Sequence, residues 1–211
     1  DFAARRGLGN ANIYRGIRKS GNEEADLRYL GDDPDPYRRV YFKETNKIKD
    51  DWTDLIALTR AFTDSSDETF EQEITKWIDL PQWMRFLAAD TFNANQETAL
   101  GNGYGDDYYL YRSETDGLFR LIPYDQDTIL GQGDTSANPR QELWKATRGP
   151  VTKRLLTWPN FAPLYYSNLV QLATGPLSEA KFKPFLKRIL STSNVPETRK
   201  DQLLTFARDR G

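Results

Sequence analysis

The sequence predicts an α+β fold in one domain over residues 1–211: small antiparallel strands near the N-terminus, a central hairpin carrying acidic residues, and a mostly helical C-terminal part. Three observations lead there. Short aromatic and β-branched runs separated by turn residues occupy 12–43 and 108–123, and helical apolar spacing dominates 52–92 and 151–210. The third is composition. Hydrophobic residues make up 38%, but 11 Tyr, 11 Phe and 5 Trp let a few large side chains build the core.

Residues 12–16 and 25–30 read as strands around the polar turn 19–24. The segment 31–36, Gly-Asp-Asp-Pro-Asp-Pro, reads as turn, and 39–43 as a third strand. Asp50 and Asp51 then cap a helix whose apolar positions are Trp52, Leu55, Ile56, Leu58 and Phe62. A second helix is expected over 70–78. Asp79, Leu80 and Pro81 open a third, with Trp83, Phe86, Leu87 and Phe92 on its apolar side. The polar stretch 93–98 reads as a loop. Tyr108 to Arg112 is a strand by its aromatic content, 114–117 a hairpin loop, and the run from Phe119 onward the returning strand. The Gly- and Ser-rich segment 131–139, followed by 140–148, reads either as a loop over a site or as plain linker. Helices follow over 153–158 and 161–173, the latter with Phe161, Leu164, Tyr165, Leu169 and Leu172 as core. Gly175 and Pro176 stop it, Ser178 caps the next helix, and Pro196 and Glu197 open the last.

The apolar run from Phe119 ends in Tyr124-Asp125-Gln126-Asp127. Two carboxylates one residue apart at a strand end are costly unless they are paired or bound to a metal. If Ser113 pairs with Leu118, the antiparallel register puts Asp106 across from Asp125, and a slip of one residue puts Asp107 there. Alone, Asp106 and Asp107 read as solvated turn residues. Facing Asp125 and Asp127, they call for a cation between the two acidic pairs. Such oxygen ligands suit Mg, Mn or Ca, and Mg is commonly held by one or two carboxylates together with substrate phosphates.

The absence of His and Cys excludes a Ser-His-Asp triad, a Cys nucleophile and a zinc finger. Carboxylates, Lys, Arg, Tyr and hydroxyls remain, a set suited to phosphoryl or glycosyl transfer, where positioning and electrostatics dominate. The formal charge of −2, with pI near 5.4, gives no basis for nucleic acid as a partner. No apolar run approaches the roughly 18 residues of a membrane span.

Several segments together resemble one family. Asn12-Ile13-Tyr14-Arg15-Gly16, Asp26-Leu27-Arg28-Tyr29-Leu30-Gly31-Asp32-Asp33, Tyr41-Phe42-Lys43-Glu44-Thr45-Asn46, Asp51-Trp52-Thr53-Asp54-Leu55, Asp107-Tyr108-Tyr109-Leu110-Tyr111 and Ile122-Pro123-Tyr124-Asp125-Gln126-Asp127-Thr128-Ile129-Leu130-Gly131 occur in order. This is similar to the CotH family, the spore coat protein H type of atypical secreted protein kinase, over residues 12–205. The resemblance implies a kinase-like domain whose further N-terminal strands lie upstream of Asp1. It makes Asp125 the metal-binding acid against ATP phosphates, with Asp127 supporting it and Asp106 where an Asn is common. Glu97, in Asn95-Gln96-Glu97-Thr98, stands where the family has a catalytic-loop Asp. One added methylene there bears on proton acceptance.

The expectation is therefore transfer of the ATP γ-phosphate to Ser or Thr of an extracellular or surface protein. Glu97 and Asp125 are the catalytic residues, Asp106 and Asp127 the cofactor-binding ones, and Asp125, Asp127 and Asp106 hold Mg or Mn, with Ca as a third candidate. Secretion or a cell-surface location follows from the family alone. Two other readings stand beside it: an Asp-x-Asp glycosyltransferase using a sugar nucleotide, and a non-catalytic metal-binding, adhesion or scaffold module.

Overall fold

A computed structural model describes residues 5, 7–17, 24–102, 106–133, 137–143 and 149–210. Most of the predicted turn at 19–24 and parts of the 131–148 loop lie outside them. The sheet has four strands, β1 (Asn12–Gly16), β2 (Tyr41–Lys43), β3 (Tyr108–Arg112) and β4 (Phe119–Pro123), in the order β2-β1-β3-β4 and antiparallel throughout. The N-terminal strands and the central hairpin therefore form one sheet, because β1 pairs with β3 across about a hundred residues of chain, Tyr14 opposite Leu110. Alternation sorts the faces. Tyr14, Tyr108, Leu110, Phe119 and Leu121 enter the main core, while Ile13 and Tyr109, backed by Tyr111, Ile122 and Tyr124, make a smaller cluster.

Two segments differ from the sequence reading. Residues 25–30 are not a strand: Leu27 has φ 64°, and the backbone N–H groups of Leu27, Tyr29 and Leu30 donate to Tyr41 Oη, Thr63 Oγ1 and Tyr37 Oη. Side-chain acceptors have taken the place of a neighbouring strand. The turn-like 31–36 in fact starts helix α1 (Pro34–Val40), since Asp33 accepts from Asp35 N and Pro34 suits the first helical position. That helix consumes Arg39 and Val40 and shortens the third strand to β2.

Helix α2 (Thr53–Asp64) buries Leu55, Ile56, Leu58 and Phe62 as its spacing predicts. Asp54 in its first turn is also buried, where it accepts from Tyr14 Oη at 2.5 Å and Asn12 Nδ2 at 2.7 Å, with Arg112 at 3.4 Å. Burial first, then the adjacent Asp54 carboxylate, pushes the Tyr14 phenol far above its usual range. Helix α3 (Phe70–Ile74) is shorter than the predicted 70–78, and Ile78 instead bridges to Phe119.

Helix α4 (Leu80–Asn93) is capped by Asp79, which accepts from Gln82 N, and it covers the outer edge of β4. Trp83 Nε1 donates to Phe119 O at 2.8 Å, Gln82 Nε2 to Leu121 O at 2.7 Å, and Leu121 N to Gln82 Oε1 at 3.0 Å. Phe119 N donates to Trp77 O and Asp79 N to Phe119 O. An edge that would otherwise expose a ladder of polar groups is thus satisfied by side chains and by the incoming chain. This pins the start of α4 to the start of β4, and the helix carries its C-terminal loop to the far end of the strand. A single helical turn, α5 (Ala99–Asn102), follows.

The remaining helices are α6 (Pro150–Thr157), α7 (Ala162–Thr174), α8 (Glu179–Ser191) and α9 (Glu197–Arg210). α7 packs on α4 through Tyr165 and Leu169, whereas Leu164, expected in the core, is exposed. Ala94, Leu130 and Phe206, with Ile129, Ala137, Phe182 and Leu203, form a third cluster that ties α8 and α9 to the loops after α4 and β4. No described helix is long and apolar enough to cross a membrane.

Candidate functional site

Three chain segments meet at the end of the sheet where β3 begins and β4 ends. The first is the exit from α4. Ala94 adopts the left-handed conformation at φ 55°, its N–H returns to Asp90 O and Thr91 O, and Asn95 N donates to Asp90 O at 3.2 Å. The chain then runs away from the helix toward β3, where Asp107 N donates to Glu97 O at 3.1 Å. Tyr124 N donates to Asp107 O at 3.2 Å, and Leu130 N to Asn93 O at 2.8 Å. Backbone hydrogen bonds therefore stitch 93–97, 106–107 and 124–130 into one frame.

The carboxylates of Glu97, Asp107 and Asp127 converge, each offering an oxygen within 4.8 Å of the others. Oxygens on one divalent cation lie about 2.0–2.6 Å from it, so two of them are at most about 4–5 Å apart. The three acids have the spacing that one shared ion requires. Asp107 is 3% exposed, and among the described residues its Oδ2 has no hydrogen-bond partner. Burial raises the Asp107 carboxyl to about 8, and Glu97, Asp106, Asp125 and Asp127 add to the rise in that order. A buried carboxylate oxygen without a donor, facing two more acids, fits a hard cation on both charge and ligand chemistry.

Of the residues singled out from the sequence, Glu97 and Asp127 stand in this cluster, and Asp106 and Asp125 stand outside it. The hairpin register is the expected one: Ser113 N donates to Leu118 O, Tyr108 pairs with Pro123, and continuing that count sets Asp106 opposite Asp125. The ladder ends at Tyr108 and Pro123, however, and Asp125 turns the chain with φ 46°. Beyond that turn, side chains no longer follow the alternation of the sheet, and Asp107 rather than Asp106 joins the cluster. Asp125 is exposed, and both outer acids act on Asp107 through space. The sequence admits Asp107 only through a one-residue slip, which the register does not contain. Nothing in the pattern foretold the bond from its N–H to Glu97 O.

The loop after β4 is shaped by glycines at left-handed positions. A Cβ on Gly131, at φ 74°, would lie 2.7 Å from Phe206 Cδ2, and one on Gly133, at φ 84°, would lie 2.6 Å from Thr128 Cγ2. Close packing at these points holds Thr128, the neighbour of Asp127, in the interior.

Fold and site define an α+β protein in which an antiparallel sheet is backed by helices and three acids converge at the sheet end. The family model described as CotH kinase protein matches residues 2–204, and the chain belongs to the CotH family. Inner spore coat protein H of Bacillus subtilis (strain 168) is 38% identical over 63 residues, 30% of this chain. The match spans 16% of that relative's length.

Proposed function

We propose that this domain is an atypical protein kinase that transfers the ATP γ-phosphate to Ser or Thr of a surface protein. The observation that carries the reading is the buried Asp107 Oδ2, without a hydrogen-bond partner among the described residues and within reach of Glu97 and Asp127, in a CotH-family chain. Glu97, Asp107 and Asp127 would hold Mg or Mn there, each through one carboxylate oxygen. The ion's contribution, when bound, is to neutralise charge on the phosphates. Glu97 would use its other oxygen to orient the acceptor hydroxyl and take its proton. Asp106 and Asp125 add negative potential around the site and favour a cation over a bare phosphate. The relative's name favours a spore-coat or surface setting for this chain as well.

The test is titration with Mn, then with Mn and ATP, followed by radiolabel transfer to a mixed protein acceptor such as casein. Wild-type binding of nucleotide that requires Mn or Mg, lost in Asp107→Asn and Asp127→Asn, supports the reading. Binding of Ca without nucleotide would replace it with a non-catalytic metal-binding module, and preference for a uridine sugar nucleotide would replace it with a glycosyltransferase.

A further inference from the structure

Asn95 lies two residues before Glu97 and is 4% exposed. Its Nδ2 donates to Asp90 Oδ1 at 3.0 Å, while its Oδ1 accepts from Glu97 N at 3.0 Å and from Thr128 Oγ1 at 3.1 Å. The orientation of the amide follows from Glu97: a backbone N–H can only donate, so the reversed amide would set the Asn95 nitrogen against the Glu97 N–H, donor against donor. One side-chain oxygen therefore ties the residue that carries the Glu97 carboxylate to the residue directly after Asp127. Thr128 is itself 1% exposed and packed beneath Gly133.

We infer that Asn95 is a positioning residue that sets the separation of Glu97 and Asp127, and with it the affinity of the acidic cluster for a divalent cation. The inference rests on reading that cluster as a cation site. Asn95 acts from behind the acids, because its oxygen is engaged by two donors and its nitrogen is anchored on Asp90 at the end of α4. The bond from Leu130 N to Asn93 O holds the same two loops at a second point, so loss of the amide loosens the spacing of the acids without separating the segments. Partners that orient ligands in this way are typically worth about 10- to 100-fold in metal affinity.

The experiment is Mn binding, measured by calorimetry and by the loss of the free-ion electron paramagnetic resonance signal. The proteins are wild type, Asn95→Ala, Thr128→Val, Thr128→Ser and the Asn95→Ala/Thr128→Val double variant, each shown folded by circular dichroism at the titration temperature. Asn95→Ala and Thr128→Val should weaken Mn binding by about 10- to 100-fold. Thr128→Ser, which keeps the hydroxyl, should bind as wild type does. The double variant should be no weaker than Asn95→Ala alone, because both changes cut one bridge. A purely structural role would lower the melting temperature and leave the dissociation constant of the folded protein unchanged. Wild-type binding with unchanged constants in Asn95→Ala and Thr128→Val overturns the positioning role and leaves the cation site standing. Absence of Mn binding by wild type overturns the cation site, and the positioning role with it.

Discussion

Asp90 offers a sharp test of how burial governs the stability of this fold. It sits at the last turn of α4, 7% exposed, and desolvation raises its carboxyl from 3.8 to about 7 even though Asn95 donates to it. An acid whose folded pKa lies above its unfolded value costs the fold nothing below the unfolded value. It becomes progressively destabilising as pH rises from about 4 to 7, and its full cost persists above that. A shift from 3.8 to about 7, at 1.36 kcal/mol per pKa unit, gives a ceiling of about 4 kcal/mol. Asp90→Asn keeps the acceptor for Asn95 Nδ2 and removes the charge. The variant should exceed wild type by only about 1 kcal/mol at pH 4.5, where the unfolded-state carboxyl is already mostly ionised, and by up to about 4 kcal/mol at pH 8. For a chain of this size that corresponds to a melting point higher by roughly 8–16 °C. Tyr165 from α7 faces the same pocket, and burial holds its phenol at about 12, outside the window. Arg210 from α9, beside Tyr165, stays charged throughout. Urea unfolding followed by Trp fluorescence at pH 4.5, 6, 7 and 8 reads the difference between the two proteins, so pH effects common to both cancel. A constant difference across that range, or a variant less stable than wild type at pH 8, would refute the assignment of a buried acid.

Two further predictions concern the frame around the site. Arg210 donates to Thr91 O, Phe92 O, Pro139 O and Gln141 O, so Arg210→Met strips four backbone carbonyls of a charged donor; a loss of roughly 2–4 kcal/mol in urea unfolding is expected, and no loss would mean that water replaces the guanidinium. Gly131→Ala adds a Cβ against Phe206 at φ 74° and should cost about 1–3 kcal/mol; a neutral effect on the melting temperature would show that α9 yields at that contact.

Local chemistry made much of the fold legible. The Asp79 cap, the Pro at the helix start and the apolar spacing mark out α4, and the length of the 114–117 loop sets the register that pairs Tyr108 with Pro123. Those features depend on residues close together in the chain. The failures fall where a distant partner decides. Residues 25–30 have strand composition, yet hydroxyls of Tyr37, Tyr41 and Thr63 claim their N–H groups, and no local pattern announces that. At 31–36 the Pro-rich run reads as turn, whereas Asp33 caps a helix that begins at Pro34.

By itself the sequence determined the α+β class, the starts of α3, α4, α8 and α9, the hairpin and the placing of acids at a strand end, because caps, periodicity and loop length act over a few residues. It also determined the chemistry that is excluded, since a chain without His or Cys cannot supply their ligands or nucleophiles. Only the tertiary structure decided that β1 joins β3 to make a single sheet, and that Glu97, Asp107 and Asp127 are the acids that converge. The physical reason is the same in both cases. Backbone groups and carboxylates far apart in the chain must be satisfied in one place, and the bonds that bring them there, Asp107 N to Glu97 O and Thr128 Oγ1 to Asn95 Oδ1, exist only once the segments have packed.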